Sequence, residues 1–354
     1  MKVLVTGGAG FIGTSVVRHL LGEGAAVVNL DKLTYAGSNP PLGKLGGGGR
    51  YALVVADVAD AAAVAAVFAR HRPDAVMHLA AETHVDRSID RPDDFIRTNL
   101  AGTFTMLEAA RAYWQTLSGS AQARFRFHHI STDEVFGSLE PSQRTAENAP
   151  YRPNSPYAAS KAGADHLVRA WHRTFGLPVV TTNCSNNYGP WQFPEKLVPL
   201  MILNSLEGKK LPIYGNGGNV RDWLYVGDHA AALWLLLRQG EVGETYNVAG
   251  GEVRANLDLV RMLCAILDDE LPQSPHRPHA RLINFVADRP GHDLRYAVDD
   301  GKLRRNFGWC PVESLETGLR KTVRWYLDSR DWWEPIRNGV YRGERLGNPA
   351  RLGR

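Results

Sequence analysis

A glycine-rich turn between a short apolar segment and a helix constrains the fold of this chain more than any other feature. Residues 3–5 read as a buried strand, and the turn Gly7-Gly8-Ala9-Gly10-Phe11-Ile12-Gly13 follows directly. In this spacing the glycines permit a tight turn and let backbone N–H groups approach a pyrophosphate at the helix N-terminus. A second apolar strand at residues 27–30 ends at Asp31, whose carboxylate suits the ribose hydroxyls of a dinucleotide and repels a 2′-phosphate. The sequence therefore predicts an NAD site, and the alternative is a glycine-rich turn without a ligand.

Strand-like and helical segments alternate through the first half of the chain. Further strands are predicted at residues 51–56, 75–79, 126–131 and 179–183. This alternation is typical of a doubly wound parallel sheet, which binds ligands across the carboxyl ends of its strands. Beyond about Pro190, Pro, Gly, Trp and Arg become frequent and the alternation loosens. We predict an α/β fold with a Rossmann-type NAD-binding domain (residues 1–189, with segments near 225–250 returning to it), a smaller C-terminal substrate-binding lobe (190–330) and a tail (331–354).

Composition argues against a nucleic-acid-binding, disulfide-rich, metal-binding or membrane-spanning protein. The net charge is only +4 and the basic residues are scattered, apart from the tail arginines 342, 345, 351 and 354, which we interpret as solvated and not as a nucleic-acid arm. Three widely spaced cysteines without a CxxC motif indicate reduced thiols in a cytoplasmic protein. No metal-ligand spacing of histidines is present, and no apolar run reaches the ~18 residues of a membrane span. The glycine-rich run at residues 43–49 indicates a flexible loop.

Proton-handling residues cluster after the predicted fifth strand. The triplet Thr132-Asp133-Glu134 follows that strand, and Tyr157 and Lys161 lie at the start of a predicted helix. Residues four apart share one helix face, and a lysine beside a phenol favours the phenolate and lowers a pKa that starts near ~10. The two carboxyls could supply an acid and a second base, or could merely cap a turn. Such a set exceeds what a simple dehydrogenase needs.

Other strand ends carry candidates for cofactor contact. Asp57 could meet an adenine amino group or cap the next helix. Ala80 and Ala81 could let a flat cofactor approach the backbone, or could be ordinary packing. His78, inside an apolar strand, reads as a core histidine and not as a ligand.

Polar residues further along the chain are also candidates for cofactor or substrate contact. Thr98 and Asn99, on a helix predicted from Pro92 to about Trp114, could face the cofactor or bond between elements. Arginine guanidinium groups suit phosphate oxygens, although each of these residues taken singly is more often a surface charge. The candidates of the second half are Lys196, Arg221, Asn256, Arg289, His292 and Arg295.

These residues resemble a known family. Gly7-x-x-Gly10-x-x-Gly13, Asp31 and Tyr157-x-x-x-Lys161 are similar to the extended short-chain dehydrogenase/reductase superfamily. Over about residues 1–330 the chain further resembles the dTDP-glucose 4,6-dehydratases. The motifs that carry this resemblance are Thr132-Asp133-Glu134-Val135 and the segments at residues 78–88, 193–197, 221–223 and 288–293.

The resemblance implies a mechanism. Tyr157 would deprotonate the hydroxyl on carbon 4 of the glucose, Lys161 would hold Tyr157 anionic and bind the nicotinamide ribose, and Thr132 would bond the same hydroxyl. Glu134 would remove the proton of carbon 5, and a protonated Asp133 would deliver a proton to the leaving hydroxyl of carbon 6. Like-charge repulsion with partial burial would keep one carboxyl protonated. The product is dTDP-4-keto-6-deoxyglucose.

The resemblance also implies binding residues and an assembly. A homodimer is expected, with the helices at Pro92 to Trp114 and Tyr157 to Thr174 packing across it. Three departures from the family pattern, Thr83, Phe136 and Trp191, leave every proposed catalytic group in place. The implied NAD contacts are Gly7, Gly10, Phe11, Ile12, Gly13, Asp31, Lys32, Leu33, Thr34, Asp57, Val58, Leu79, Ala80, Ala81, Thr98, Tyr157, Lys161 and Asn187. The implied substrate contacts are Thr83, Thr132, Asn186, Lys196, Leu197, Pro212, Ile213, Tyr214, Arg221, Asn256, Asp288, Arg289 and His292.

Two other functions remain open at this point. A nucleotide-sugar epimerase or decarboxylase of the same superfamily would need no acid to expel water, so Asp133 and Glu134 argue against it. A non-catalytic NAD-binding regulator would need no general base, so Tyr157 and Lys161 argue against that. The preferred nucleotide base, and the choice between cell-wall rhamnose and a secondary-metabolite deoxysugar, also stay open.

Overall fold

The computed structural model describes residues 1–35, 37 and 49–341. Most of the glycine-rich run at residues 43–49 and the four tail arginines lie outside the described residues. Within them, no helix is long and apolar enough to cross a membrane. The strands are β1 (Lys2–Thr6), β2 (Ala26–Asp31), β3 (Tyr51–Val55), β4 (Ala75–His78), β5 (Arg126–Thr132), β6 (Val179–Cys184), β7 (Asn186–Tyr188), β8 (Leu211–Tyr214), β9 (Val220–Tyr225), β10 (Thr245–Val248), β11 (Glu252–Ala255) and β12 (Ile283–Val286).

Seven strands form one parallel sheet in the order β10-β6-β5-β4-β1-β2-β3. Helices cover both faces, so the strands are apolar at successive positions instead of alternating. In β1, Val3 and Val5 join one hydrophobic cluster, whereas Leu4 joins the cluster on the opposite face. The prediction of a Rossmann-type doubly wound sheet is therefore confirmed.

The helices connect these strands and cover the sheet. The α-helices are α1 (Phe11–Gly22), α2 (Ala61–His71), α3 (Val85–Asp90), α4 (Pro92–Phe95), α5 (Gly102–Thr116), α6 (Gly119–Arg124), α7 (Pro156–Phe175), α8 (Leu197–Leu206), α9 (Val226–Gln239), α10 (Asn256–Glu270), α11 (Gly301–Phe307), α12 (Leu315–Asp328) and α13 (Arg330–Pro335). Short 3₁₀ helices lie at Asp133–Phe136 and His279–Leu282, and π-helical turns at Ile96–Ala101 and Ile336–Val340.

A second group of elements lies beyond β6. β11, β9 and β7 form a three-stranded sheet, and β12 pairs with β8. Their apolar side chains share a cluster with residues of α8, α10 and α12, among them Met201, Leu263 and Leu319. β10 pairs with β6 at the edge of the main sheet. The boundaries of the two lobes stay a prediction.

The helix predicted from Pro92 to Trp114 is interrupted. It begins at Pro92, but the turn Ile96–Ala101 is π-helical before α5 continues to Thr116. The extra residue of a π turn redirects the side chains around it. Thr98 and Asn99 are both buried in this turn, so the interruption affects the two helix residues that were candidates for the site.

Candidate active site

The turn after β1 makes a cradle that only glycine can form. Gly7 has φ +70°, and a Cβ there would lie 2.8 Å from the backbone nitrogen of Ala80. A Cβ on Gly13 would lie 2.0 Å from the carbonyl oxygen of Gly7. α1 begins after Gly10 without a side-chain cap, which leaves its first N–H groups available to an anionic ligand. The cradle therefore fits the pyrophosphate of a dinucleotide.

Asp31 connects the end of β2 to this cradle. Its Oδ2 accepts the Ala9 N–H (2.9 Å) and its Oδ1 accepts the Leu33 N–H (2.8 Å). Burial raises the pKa of Asp31, while these two backbone hydrogen bonds oppose the rise. Lys32, beside it, is held by the Thr98 hydroxyl (3.1 Å) and pairs with Glu82 (3.2 Å). This pairing reduces the pull of Lys32 on a 2′-phosphate, in keeping with NAD.

Two adjoining cavities run along the carboxyl ends of the strands and share Thr83, Glu134, Asn186, Glu195 and Lys196. The first cavity gathers nearly all of the predicted NAD contacts and the five predicted catalytic residues. They are Gly7, Gly10, Phe11, Ile12, Gly13, Asp31, Lys32, Thr34, Val58, Leu79, Ala80, Ala81, Thr98, Thr132, Asp133, Glu134, Tyr157, Lys161 and Asn187. The second cavity gathers most predicted substrate contacts, namely Thr83, Asn186, Lys196, Leu197, Pro212, Ile213, Tyr214, Arg221, Asn256, Arg289 and His292.

Three predicted contacts do not line either cavity. Leu33 is exposed and contributes its N–H to Asp31. Asp57 accepts the Ala59 N–H (2.9 Å) and faces Arg97 (3.6 Å). The side chain that caps α2 is Asp60, so the capping alternative for Asp57 is wrong, and its contact with the adenine stays a prediction. Asp288 instead binds His292 Nδ1 (2.6 Å).

Two further polar candidates are satisfied within the protein. Asn99 donates to the Glu82 carbonyl (3.0 Å) and to Ser160 Oγ (2.9 Å), which is the bonding between elements left open by the sequence. His78 is buried and its ring nitrogens contact the hydroxyls of Thr6 (2.8 Å) and Thr103 (3.0 Å). The interpretation of His78 as a core histidine is confirmed.

Asp133 and Glu134 lie in the 3₁₀ turn that follows β5. Thr132 caps this turn by accepting the Glu134 N–H (3.2 Å), and its hydroxyl donates to Asp133 Oδ1 (3.3 Å). The other oxygens, Asp133 Oδ2 and Glu134 Oε2, are buried and have no hydrogen-bond partner among the described residues. Each carboxyl thus keeps one buried oxygen for a ligand, which capping alone would not require.

The environment of the acid pair favours protonated carboxyls. Burial and then the neighbouring Glu134 raise the pKa of Asp133 well above its usual value, against a smaller opposing effect of Arg221. Burial also raises the pKa of Glu134, whereas Arg289, Arg221 and Lys196 oppose that rise. More cationic side chains oppose the pKa rise at Glu134 than at Asp133. Asp133 is therefore the carboxyl that favours the protonated form, and Glu134 is the one that ionises more readily and can act as a base. The raised pKa of Asp133 is in the direction that the sequence predicted, and burial contributes more to it than charge repulsion does.

Tyr157 and Lys161 share the buried face of α7, but the expected electrostatic effect is wrong. The pKa of Tyr157 is raised well above its ordinary value by burial and then by Glu134, while a hydrogen bond with Thr132 opposes the rise. Lys161 Nζ donates to the Ile130 carbonyl (2.8 Å), and burial lowers its pKa. The two side chains are buried on one helix and line the same cavity, as their spacing predicted. Spacing could not reveal how strongly desolvation opposes ionisation of the buried phenol.

The second cavity carries the cations suited to a diphosphate. Asp86 accepts from the Tyr214 hydroxyl (2.9 Å) and faces Arg289 Nε (3.5 Å), and Arg289 keeps a buried Nη1 without a partner among the described residues. Arg221 lies over the Tyr296 ring, with Cζ 4.3 Å from the ring centroid. Burial lowers the pKa of His292 to about 4, so its imidazole is neutral at physiological pH.

Sequence reasoning missed several lining residues. Glu195 lies within a motif already quoted for the resemblance, and it binds Tyr35 (3.0 Å) and Arg87 (3.0 Å). Asp86 lies in another such motif. Tyr296 carried no recognisable signal. Its place in the cavity depends on a loop that returns beside β9.

Comparisons with known proteins identify the family of this chain. The family model described as GDP-mannose 4,6 dehydratase matches residues 4–322. A dTDP-glucose 4,6-dehydratase of Neisseria meningitidis serogroup B is 58% identical over 350 residues, which cover 98% of this chain and 99% of the relative. An Escherichia coli dTDP-glucose 4,6-dehydratase is 54% identical over 359 residues, with coverage of 98% and 99%. The chain belongs to the dTDP-glucose 4,6-dehydratase family.

Solved structures place this dehydratase family among related folds. The dTDP-glucose 4,6-dehydratase of Streptomyces venezuelae, crystallised with NAD, has a TM-score of 0.85 and 45% identity, covering 95% of this chain and 100% of that chain. A UDP-glucose 4-epimerase of Thermus thermophilus in complex with NAD has a TM-score of 0.80 and 31% identity, covering 93% and 100%. The fold is therefore shared with a UDP-glucose 4-epimerase and does not by itself distinguish a dehydratase from an epimerase.

Proposed function

We propose that this protein is an NAD-dependent hydro-lyase that converts dTDP-glucose into dTDP-4-keto-6-deoxyglucose and water. The observation that carries the proposal is the buried Asp133–Glu134 pair beside Tyr157, at the junction of the two cavities. An epimerase needs one base at carbon 4. Loss of water from carbons 5 and 6 also needs a base and an acid, and this pair supplies both.

The cradle at residues 7–13 and the Asp31 carboxylate would hold the cofactor. Oxidation at carbon 4 and reduction at carbon 6 are the chemistry that NAD supplies when bound. Thr132 and Tyr157 would bind the carbon 4 hydroxyl, and Tyr157 would accept its proton. Burial opposes the phenolate, so the hydroxyl of Thr132, turned from Asp133 towards the phenol, and the neutral state of Asp133 would both be needed to make Tyr157 basic.

The acid pair would carry out the elimination. A ketone at carbon 4 acidifies the proton on carbon 5, which Glu134 would remove. Asp133, kept protonated by burial, would donate its proton to the hydroxyl of carbon 6 as that group leaves as water. Positioned groups of this kind each contribute roughly 10²–10⁴ in rate.

Cations of the second cavity would hold the nucleotide. Arg221 and Arg289 suit the diphosphate oxygens, and the ring of Tyr214 would stack on the thymine. Lys196, whose Nζ donates to the Thr83 carbonyl (2.9 Å), would contact the sugar side of the substrate. Asn186 and Asn256 line this cavity, and their amide oxygens are buried without a partner among the described residues. These oxygens could accept hydrogen bonds from hydroxyl or amide groups of a ligand.

One incubation tests the proposal. The purified protein is supplied with dTDP-glucose in deuterated water, and products are followed by NMR and by the absorbance of reduced nicotinamide. We expect a 4-keto-6-deoxy product with deuterium at carbon 5 and no net reduced cofactor. Unaltered dTDP-glucose, a carbon 4 epimer, or reduced cofactor formed in proportion to product would refute it.

Assembly and location are part of the same proposal. We infer a homodimer through α5 and α7, because Phe104 and Phe175 on these helices are exposed although large and apolar. Light scattering on the purified protein tests this. We also infer a cytoplasmic location from the cysteine usage. The product would be used in deoxysugar synthesis, such as that of rhamnose.

A further inference from the structure

A buried polar cluster lies beneath Lys161, one helical turn further along α7. The Asp165 carboxyl is 5% exposed and accepts three hydrogen bonds. The donors are His129 Nε2 (2.9 Å) and Ser131 Oγ (2.8 Å) on β5 and the Tyr151 hydroxyl (3.0 Å) on the preceding loop. Asp165 does not line the two cavities, and the proposed mechanism gives it no task.

Three hydrogen-bond donors converge on Asp165, an arrangement that suits a carboxylate because such bonds stabilise its charge. His129 does not neutralise that charge. Burial and then the nearby Lys161 lower the pKa of His129, although Asp165 opposes this. A neutral imidazole donating through Nε2 leaves Nδ1 without a proton, and Nδ1 has no partner among the described residues.

Lys161 needs a negative charge nearby because the residue is only 4% exposed and its ammonium makes a single described hydrogen bond, to the neutral Ile130 carbonyl. The titratable groups that interact with it are Asp165 on α7, His78 on β4, His129 on β5 and Cys184 on β6. Tyr157 lies one turn earlier on α7. The two histidines are neutral because burial lowers their pKa values. Burial raises the pKa of the Cys184 thiol to about 12 and that of Tyr157 well above its ordinary value, so both are neutral too.

We infer that Asp165 is a positioning residue of the proposed reaction, whose carboxylate is the counter-charge that keeps the Lys161 ammonium protonated inside the closed site. The inference rests on the proposed function for its catalytic consequence. Lys161 and Asp165 are spaced i, i+4, which places them as neighbours on one helix face. Each hydrogen bond from β5 and from Tyr151 fixes the carboxylate in that place.

The test compares Asp165→Asn with Tyr151→Phe. The first variant removes the charge and keeps the shape, whereas the second removes one hydrogen bond and keeps the charge. Lys161 is followed by NMR of protein labelled at the lysine side-chain carbons, with Lys161→Met to assign its signal. We expect the Lys161 titration to move to lower pH by roughly one unit in Asp165→Asn, because loss of a nearby opposite charge disfavours the ammonium. Tyr151→Phe should leave it in place.

Activity and stability give two further readouts. The alkaline limb of the dehydratase pH profile should move in the same direction in Asp165→Asn only. A double-mutant cycle should show that Asp165→Asn lowers the melting temperature less when Lys161 is already Met. If Asp165→Asn alone does not fold, recovery of folding in the Lys161→Met/Asp165→Asn double variant is the equivalent result.

Unchanged Lys161 titration with an unchanged pH profile, or additive effects in the cycle, would show that Asp165 is only a structural residue. If wild-type protein lacks dehydratase activity while the Lys161 titration still depends on Asp165, the proposed function fails and the charge pairing stands.

Discussion

Replacing Glu134 by Gln removes the proposed base of the elimination and leaves in place the groups that assist oxidation at carbon 4. Glutamine has nearly the same shape but cannot take a proton from carbon 5. Loss of a positioned base costs roughly 10²–10⁴ in rate, or about 3–5 kcal/mol of transition-state stabilisation. Tyr157 and Thr132 are untouched, so oxidation at carbon 4 should continue. We expect reduced cofactor and a 4-keto sugar to accumulate without deuterium at carbon 5.

The structure also predicts that this inactive variant is more stable. Burial raises the pKa of Glu134 above the unfolded value of 4.5, so the native protein binds this proton more tightly than the unfolded chain does. The stabilising contribution of Glu134 is complete below the unfolded pKa and is lost as the pH rises through the folded pKa. Since Gln does not titrate, the melting temperature of Glu134→Gln should exceed that of wild type by an amount that grows over that range.

Asp133→Asn is the matched control for the assay. It removes the proposed acid and leaves the base, so carbon 5 should still exchange with deuterated water while loss of water becomes slow. Both reactions are followed by NMR of the sugar and by absorbance of the reduced nicotinamide. If Glu134→Gln turns over at the wild-type rate, or still incorporates deuterium at carbon 5, the role of Glu134 is wrong.

Two other predictions concern binding. Gly13→Ala places a Cβ only 2.0 Å from the Gly7 carbonyl oxygen. Calorimetry should therefore show NAD affinity reduced by about tenfold or more, equivalent to ~1.4 kcal/mol. Wild-type affinity would contradict the assignment of this turn as the pyrophosphate site. Asp86→Asn removes the carboxylate held by Tyr214 and Arg289, so steady-state kinetics should show KM for dTDP-glucose raised by about tenfold with kcat nearly unchanged. A loss confined to kcat would place Asp86 in the chemistry instead.

The sequence predicted the main sheet well because most of its strands are short runs buried on both faces, whereas the edge strand β3 exposes Leu53 and Val55. The end of each run also marked the place where ligands bind, which is why the glycine turn, Asp31 and the Thr132-Asp133-Glu134 triplet were found together. Local pattern could not predict the π turn at Ile96–Ala101, whose register is set by packing. Gly102, directly after it, would clash with Val58 if it carried a Cβ (2.7 Å).

Contacts between distant segments were beyond the reach of spacing arguments. Asp86 and Tyr214 are separated by 128 residues, yet they share a hydrogen bond at the wall of the second cavity. Asp165 lies in the same helix as Tyr157 and was not singled out, because its partners come from β5 and a loop. A helical pattern can show which residues share a face. It cannot show which of them meet a carboxylate, a carbonyl or water on the other side.

Burial explains both the success and the error in reading the catalytic residues, because it acts on every acid of the site in the same direction. It raises the pKa of Asp133, which provides a proton donor, and it raises the pKa of Tyr157, which opposes the base. The two effects are coupled: a proton on Asp133 removes a negative charge from beside the phenol and makes its ionisation easier. A positive charge on Lys161, held by Asp165, acts in the same sense. The ability of Tyr157 to act as a base therefore depends on the protonation of its neighbours, and a variant that ionises Asp133 should weaken oxidation at carbon 4 as well as elimination.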